Sequence, residues 1–202
     1  QIADESINED DALTITVSAT DADGDIPTFT ADAGDDAETS VVGSEITITP
    51  IDDFNGNITV TITATDGDLE TGETSFTLSV LPVNDAPVIE DITPQETNED
   101  EVFTLDLSAS DVDEDDLSFS ASIIPDDDGN IFAITSVSDT TLTVQPDVDY
   151  SGDVDVSVVV SDGVLSAETS FTLTVLNLND APIMDQIADE SINEDDALTI
   201  TV

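Results

Sequence analysis

The sequence predicts an all-β protein made of tandem β-sandwich domains, and three observations support this prediction. Apolar and polar residues alternate with a period of two over many short stretches, as in Phe76, Leu78 and Val80, which is typical of half-buried strands. Clusters of Asp, Gly, Asn and Pro separate these stretches at the spacing of a sandwich. No segment has a convincing helical period, and the 202 residues suit two domains of about 100 residues each.

The chain contains one perfect repeat and one weaker repeat. Residues 1–17 and 186–202 have the same sequence, QIADESINEDDALTITV, so one period is 186 − 1 = 185 residues. Within that period Asn84-Asp85-Ala86-Pro87 recurs as Asn179-Asp180-Ala181-Pro182, a spacing of 179 − 84 = 95. We therefore predict a first domain over residues 1–85, a second over 86–180, and the start of a third, identical to the start of the first, over 181–202.

Each predicted domain contains a similar series of strands. In the first domain, the alternation predicts strands near residues 12–19, 27–30, 45–49, 57–65 and 74–81. In the second, it predicts strands near residues 102–109, 117–122, 131–136, 140–145, 154–161 and 169–176. The seven Phe residues and the single Tyr are expected in the sandwich cores or at their corners.

The charge of the chain is its most unusual property. It contains 49 Asp and Glu residues and no Lys, Arg or His, which gives a formal charge of −49. A hydrophobic fraction of 38% still allows a folded core. The neutralising charge must then come from solvent cations, and hard divalent ions are the cations that clustered carboxylates prefer.

This charge also excludes several classes of function. A polyanion repels phosphate backbones and anionic lipids, so we expect no nucleic-acid partner and no direct membrane contact. The chain has no Cys, which excludes disulfides and thiolate metal sites. It has no apolar run of about 18 residues and no signal-peptide pattern at residue 1, so we expect an internal fragment of a longer protein.

Acidic motifs recur once in each predicted domain. An Asp-x-Asp motif can place two carboxylates within reach of one Ca²⁺ ion, which takes six to eight oxygen ligands. The recurring pairs are Asn8-Glu9-Asp10 with Asn98-Glu99-Asp100, Asp21-Ala22-Asp23 with Asp111-Val112-Asp113, Asp53 with Asp149, and Asp66-Gly67 with Asp162-Gly163. An EF-hand is excluded because Ile26 and Asp32 occupy the positions where that loop needs Gly and Glu.

Several of these segments resemble cadherin domains. Residues 64–67, 76–80 and 83–88 are similar to the last strands and the linker of a cadherin domain, and residues 18–24 resemble its Asp-x-Asp motif. Asn8-Glu9-Asp10 lies where cadherins carry a ligand Glu in the first strand. The resemblance is strongest to the cadherin-like tandem repeats of giant calcium-dependent bacterial surface adhesins. It implies Ig-like, Greek-key sandwiches in a linear array, with Ca²⁺ bound at the joints between domains.

The resemblance also implies which residues bind the ions. The ligands of the complete joint would be Glu9, Asp53, Asn84, Asp85, Asp111, Asp113 and Asp162. The ligands of an incomplete joint would be Glu99, Asp149, Asn179 and Asp180, and Asp21, Asp23 and Asp66 would await a preceding linker. Asp52 can substitute for Asp53, and Ala86 stands where cadherins have a second linker Asn, so the number of ions per joint stays open.

Simpler interpretations exist for each of these motifs. Asp and Asn favour turns without any metal, and the Glu residues and Asp53 and Asp149 can be solvated loop charges. Residues 126–129 are expected to form only a turn. Asn57-Ile58-Thr59 fits a glycosylation sequon but is interpreted as an ordinary strand start.

The leading functional hypothesis is a Ca²⁺-rigidified stalk or fibre segment of an extracellular adhesin, at the cell surface or secreted. Its partners would be neighbouring repeats of the same chain, and other copies if a fibre forms. The alternative is an interaction module for homophilic fibre assembly or glycan binding. Catalysis is not expected, because the acidic residues recur along the chain instead of converging once on an aromatic-lined cleft.

Overall fold

The computed structural model describes residues 2–22, 24–66, 71–184, 189, 191–195 and 197–199. Within these ranges the regular structure consists of strands and one short 3₁₀ turn, Gly34–Asp36. The all-β prediction is therefore confirmed. None of the described segments is a helix long and apolar enough to cross a membrane.

Seven strands form the first sandwich. They are β1 (Glu5–Asn8), β2 (Leu13–Thr16), β3 (Thr28–Asp32), β4 (Ala37–Val42), β5 (Glu45–Pro50), β6 (Gly56–Thr65) and β7 (Thr71–Leu81). One sheet has the order β1-β7-β6-β3 and the other has the order β2-β5-β4. Strand β1 runs parallel to β7, with Glu5 opposite Leu78, whereas the other pairs are antiparallel.

The alternating sequence explains the core between these sheets. Ile58 and Val60 of β6 are buried and lie opposite Leu78 and Phe76 of β7. Ile46 and Ile48 of β5 belong to the same buried cluster. The intervening Thr and Ser residues point away from the core, because successive side chains in a strand point to opposite faces of its sheet.

The second sandwich repeats this arrangement. Its strands are β8 (Val88–Ile89), β9 (Gln95–Asn98), β10 (Phe103–Asp106), β11 (Ala109–Ser110), β12 (Ser118–Ile124), β13 (Ala133–Ser138), β14 (Thr141–Pro146), β15 (Gly152–Ser161) and β16 (Ser166–Leu176). The sheet orders are β12-β15-β16-β9 and β10-β14-β13, and β8 pairs with β11. The core residues include Leu142, Val156 and Leu173.

The contacts of the chain define two compact units. The first comprises Gln1–Val88, Ala109–Ser118 and Val160–Ala167, and the second comprises Ile89–Ser108, Phe119–Val159 and Glu168–Val202. The loops over 109–118 and 160–167 thus belong to the first unit by their contacts, although the sequence assigns them to the second repeat. The domain boundaries at residues 85 and 180 stay a prediction.

A sharp corner precedes β15. Tyr150 stacks on Phe132 with a centroid separation of 4.5 Å, and its hydroxyl donates a hydrogen bond to the Asp153 carbonyl at 2.9 Å. Gly152 has φ +145°, and a Cβ placed there would lie 2.9 Å from the Tyr150 hydroxyl. The stacked and hydrogen-bonded Tyr150 ring cannot move aside without losing these contacts.

We therefore expect Gly152→Ala to destabilise the second sandwich by about 1–3 kcal/mol, because it combines a strained backbone with a side-chain clash. The measurement is urea unfolding followed by circular dichroism. Gly129→Ala is the matched control, since Gly129 has φ +84° and open space around it. Equal losses in both variants would contradict the role of the Tyr150 contact.

Residues 126–129 form a turn, as expected. The Asp126 carboxylate accepts hydrogen bonds from the Asp128 and Asn130 amides at 3.0 and 2.7 Å and from the Asn130 side chain. The hydrogen bonds from Asn130 are the main cause that lowers the pKa of Asp126 below its ordinary value of 3.8. The carboxylate thus organises its own loop.

This lowered pKa sets a pH dependence. Because the folded-state pKa is depressed, Asp126 stabilises the fold above its unfolded-state pKa, and this contribution is lost as the pH falls through the lower folded-state value. We expect Asp126→Ala to be less stable than the unmodified chain at neutral pH, and the difference to shrink as the pH falls below about 3.8. Urea unfolding of both proteins across pH measures it. Asp127→Ala, in the same turn, is the matched control variant.

Candidate metal site

Two buried glutamates anchor the segments that follow the last strand of each sandwich. Glu9 is only 4% exposed and Glu99 only 2%. The Glu9 amide donates to the Leu81 carbonyl at 2.9 Å, and its carboxylate accepts the Val83 amide. The corresponding carboxylate of Glu99 accepts the Leu178 amide and the Asn177 side chain. Parallel pairing with β7 or β16 places each glutamate beside the exit of that strand.

Four aspartates in the turns of the two sandwiches adopt an unusual backbone conformation. Asp10, Asp53, Asp100 and Asp149 all have positive φ angles, between 58° and 63°. Asp tolerates this left-handed region better than most residues. The Asp53 amide lies 3.5 Å from the Asp10 carboxylate, and the Asp149 amide lies 3.2 Å from that of Asp100. In each sandwich two turns thereby bring two carboxylates close together, Asp10 with Asp53 in the first and Asp100 with Asp149 in the second.

The linker residues contact the acidic loops of the first unit directly. The Asn84 side-chain amide donates to the Asp85 carbonyl at 2.8 Å and to the Asp162 carboxylate at 2.9 Å. The Asp85 amide donates to the Asp113 carboxylate at 2.8 Å. These hydrogen bonds hold two acidic loops beside the linker.

The Asp-x-Asp motif forms a tight loop around its first carboxylate. The amides of Asp113 and Asp115 approach the same Asp111 oxygen at 3.0 and 3.4 Å. Glu114, between them, has φ 61°. The turn therefore brings the carboxylates of Asp111, Asp113 and Asp115 to one side of the loop.

Three linked groups of carboxylates result. Each group has one oxygen per residue, and these oxygens lie within 4.8 Å of one another. The groups are Glu9-Asp85-Asp113, Asp10-Asp53-Asp85 and Asp111-Asp113-Asp115. Asp85 and Asp113 each belong to two groups, so seven carboxylates form one continuous cluster.

Two oxygens of this cluster have no partner among the described residues. Asp85 Oδ2 and Asp111 Oδ2 are buried and accept no hydrogen bond. Buried polar atoms normally have a partner, and a cation that binds the oxygen directly satisfies it in place of a hydrogen bond. Opposite ligands of a Ca²⁺ ion lie about 4.6–5.2 Å apart, twice the usual bond length, so oxygens within 4.8 Å of one another can bind one ion.

The pKa values of two carboxylates in this cluster reflect the close spacing of its negative charges. Desolvation, followed by repulsion from Asp53 and Asp113, raises the pKa of Asp85. Desolvation, followed by the charges of Asp111 and Asp113, raises the pKa of Asp115. Both carboxylates thus occupy positions where a negative charge is unfavourable unless a cation is present. An all-oxygen, strongly anionic site fits Ca²⁺ better than a transition metal.

Asp162 has a different environment at the edge of this cluster. One of its oxygens accepts the amides of Val164 and Leu165, each at 2.6 Å, while the other accepts the Asn84 side chain. The Asn84 hydrogen bond is the largest cause that lowers the pKa of Asp162. This carboxylate is therefore ionised and fixed in place.

The second unit carries a smaller version of the cluster. Asp100, Asp149 and Asp180 each contribute an oxygen to a group within 4.8 Å, and all three residues are exposed. The Asn179 side chain donates to the Asp180 carbonyl at 3.0 Å, as Asn84 does to Asp85. This group has no Asp-x-Asp loop beside it among the described residues.

The remaining predicted ligands lie elsewhere in the first unit. Asp21 accepts the amides of Gly24 and Asp25 at 3.0 and 3.3 Å, which is the same loop geometry as at Asp111. Asp66 and Asp21 both border a small cleft. Asp23 lies outside the described residues. Metal binding by all of these residues stays a prediction.

Sequence reasoning missed Asp10, Asp100 and Asp115 as cluster members. Asp10 and Asp100 follow the predicted glutamates directly. The alternation of apolar and polar residues predicts strands but does not predict that these two residues adopt left-handed turns. Asp115 is the third acid of an alternating series, Asp111, Asp113 and Asp115, which was a usable signal. In the first unit Asp53, and not Asp52, belongs to the group.

Family models match two separate parts of the chain. Residues 83–176 match the family described as cadherin-like domain, and residues 1–79 match the bacterial Ig domain family. The resemblance to bacterial cadherin-like repeats is thereby confirmed. These families are in general non-catalytic and typically extracellular, and cadherin-like domains typically bind calcium. No match was found among curated proteins.

One solved structure supports the fold, and two others are similar at lower scores. Cadherin repeats EC1-2 of human protocadherin-24 share 17% identity, with 83% of this chain and 88% of that chain covered and a TM-score of 0.50. Cadherin domains 3–6 of protocadherin gamma B2 share 18% identity, with coverages of 87% and 46% and a TM-score of 0.48. An endo-fucoidan hydrolase of glycoside hydrolase family 107 shares 18% identity at a TM-score of 0.37, with 88% of this chain covered. The chain spans only 28% of that hydrolase, so its activity implies nothing here.

Proposed function

Starting from a chain that combines a bacterial Ig domain with a cadherin-like domain, we propose that it is a Ca²⁺-rigidified structural segment of an extracellular adhesin stalk or fibre. The coarser part of this statement, an extracellular adhesion-type structural module, follows from the domain families. The finer part concerns the ion and its mechanical effect. It rests on the carboxylate cluster of the first unit.

One observation carries the proposal. Carboxylates from four separate segments, residues 9–10, 53, 85 and 111–115, lie close together. Two of their oxygens are buried and have no partner among the described residues. Seven negative charges this close repel one another strongly. A cluster of solvated surface charges would spread apart and would leave no buried oxygen unpaired.

Calcium would act here by neutralising and connecting these segments. Glu9, Asp85 and Asp113 would hold one ion, and Asp10, Asp53, Asp111 and Asp115 would complete the flanking positions. An ion shared in this way links the Asn84-Asp85 linker to the Asp111–Asp115 loop and restricts their relative motion. No cation within the chain can take this role, because it has no Lys, Arg or His.

An extracellular location is consistent with calcium binding of this kind. Extracellular calcium modules bind with dissociation constants of about 10⁻⁴ to 10⁻³ M, which external calcium saturates and cytosolic calcium does not. The chain would therefore be flexible where calcium is scarce and stiff after export.

Small-angle X-ray scattering of the 202-residue chain tests the proposal. The titration runs from excess chelator to millimolar Ca²⁺, with Mg²⁺ as the matched ion. We expect the maximum dimension to become fixed only with Ca²⁺, since Mg²⁺ dehydrates reluctantly and demands octahedral geometry. A profile that is the same in chelator and in Ca²⁺ would refute the mechanical role.

A further inference from the structure

One surface of the second sandwich differs in charge from the equivalent surface of the first. Matching hydrogen bonds establish the equivalence. The Ile51 amide donates to the Asp36 carbonyl at 3.0 Å, and the Asp147 amide donates to the Phe132 carbonyl at 2.8 Å. The β4–β5 and β13–β14 pairs also have the same register. The corresponding residues are therefore Asp35 and Ile131, Asp36 and Phe132, Glu38 and Ile134, and Asp52 and Val148.

At these four positions the first sandwich has acidic residues and the second has apolar ones. Three of the apolar residues face solvent: Ile131 is 54% exposed, Ile134 is 69% exposed and Val148 is 80% exposed. We refer to these three residues as the apolar patch. The reverse exchange occurs at one neighbouring position, where Ile51 corresponds to Asp147.

The apolar patch is formed by two segments that contact each other. The hydrogen bond from the Asp147 amide to the Phe132 carbonyl joins the residues next to Val148 and Ile131. Ile134 lies two residues after Phe132, at the start of β13. Exposed apolar residues that are grouped in this way commonly mark an interaction site.

The exposure of the apolar patch does not follow from where the sequence ends. The four corresponding acidic residues of the first sandwich are exposed as well, although a second repeat follows them in the chain. They are Asp35, Asp36, Glu38 and Asp52. This surface is therefore not one that a following repeat covers.

Strand β13 is also an open edge of its sheet, which has the order β10-β14-β13. Edge strands commonly carry charged residues that discourage pairing with another chain. The equivalent edge strand β4 has Glu38, whereas β13, Ala133–Ser138, has no charged residue. An edge of this kind can accept an extended segment as an additional strand.

The charges around the apolar patch indicate the chemistry of its partner. Acidic residues precede the patch, follow β13 and flank Val148: they are Asp126, Asp127, Asp128, Asp139, Asp147 and Asp149. A second copy would bring the same carboxylates against them, since the chain has no Lys or Arg. A partner with apolar residues among basic ones complements both the patch and its acidic border.

We propose that the apolar patch and the edge of β13 bind an extended, basic segment of another protein. The main chain of that segment pairs with β13, and its apolar side chains cover Ile131, Ile134 and Val148. Its Lys or Arg side chains lie beside the surrounding carboxylates. The second sandwich then has an interaction surface that the first sandwich lacks.

Fluorescence anisotropy of labelled synthetic peptides with the 202-residue chain tests the proposal, in Ca²⁺ and at physiological ionic strength. The probes are a peptide of alternating Leu and Lys and an oligolysine with the same number of charges. We expect the Leu–Lys peptide to bind about tenfold more tightly, because only this peptide can cover the apolar patch. In an NMR titration its largest amide shifts should fall in residues 131–138 and 147–148.

Ile134→Glu separates the apolar patch from the net charge. Glu38 occupies the equivalent position in the first sandwich, so we expect the fold to tolerate the change. The added negative charge alone would strengthen the binding of a cationic peptide. We nevertheless expect the Leu–Lys peptide to bind about tenfold more weakly, and oligolysine to bind no more weakly. Val42→Glu adds the same charge at a residue of β4 that is 72% exposed, and it should weaken neither peptide.

Three outcomes would overturn the proposal. Equal affinities for the two peptides, or the same effect of Ile134→Glu and Val42→Glu, would mean that the polyanion binds cationic peptides without using the patch. A dimer of the unmodified chain in sedimentation velocity that Ile134→Glu dissociates would assign the patch to a second copy. The calcium response is measured without peptide, so a failure of peptide binding remains separate from a failure of the proposed function.

Discussion

Asp85→Asn is expected to destabilise the protein in Ca²⁺ and to stabilise it in chelator. Asp85 belongs to two carboxylate groups and has a buried oxygen with no partner among the described residues. In Ca²⁺ the substitution removes a charged ligand from both groups, and we expect the affinity to fall by about tenfold or more. At about a hundredfold excess of free ion over the dissociation constant, a tenfold loss of affinity removes about 1.3 kcal/mol of stabilisation per site.

In chelator the same substitution should stabilise the protein. The raised pKa of Asp85 shows that its negative charge is disfavoured by desolvation and by Asp53 and Asp113. An amide removes this repulsion and can donate hydrogen bonds to the neighbouring carboxylates. Calorimetric calcium titration and thermal unfolding with and without chelator measure both effects. Asp127→Asn, in an exposed turn, is the control, and a destabilised Asp85→Asn in chelator would contradict the crowding argument.

Glu99→Ala is expected to destabilise the second unit by about 1–2 kcal/mol, because it removes the acceptor of the part-buried hydrogen bond from the Leu178 amide. Glu99 is the most buried acidic residue described, and its carboxylate also accepts the Asn177 side chain. Glu99→Gln retains a carbonyl acceptor of nearly the same shape and should lose much less. Comparison of the two variants separates the contribution of the hydrogen bond to stability from that of the negative charge.

Urea unfolding gives the stability of each variant, and hydrogen exchange gives the protection of the Leu178 amide. We expect this protection to be lost in Glu99→Ala and retained in Glu99→Gln. Equal loss in both variants would mean that the negative charge, and not the acceptor, anchors residues 177–178.

The fold was largely predictable from local pattern. Long strands such as β6, β7, β15 and β16 alternate over most of their length, and their buried faces were evident from Ile58, Val60, Val156 and Val158. Strands β1, β4, β8 and β9 were missed. Strands β1 and β9 are only four residues long and highly polar, Glu5–Asn8 and Gln95–Asn98, and their strand conformation depends on parallel pairing with β7 and β16.

The candidate site was predictable only in outline. The resemblance to cadherin domains, supported by the recurrence of acidic motifs, implied Glu9, Asp53, Asp85, Asp111 and Asp113 as ligands, and the structure brings these five residues together. The inclusion of Asp10 and Asp115 depends on left-handed backbone turns at Asp10 and Glu114. The separate role of Asp162, whose oxygens are taken by amides, depends on hydrogen bonds that no sequence pattern records.

By itself the sequence determined that the chain is all-β, repetitive, and unable to neutralise its own charge. These properties follow from composition and from a two-residue period, both of which are local. Only the tertiary structure decided which few of the 49 acidic residues lie close together with buried, unpartnered oxygens among the described residues. Those outcomes depend on contacts between residues far apart in the chain, such as Asn84 with Asp162, which are set by how separate strands and turns meet in space.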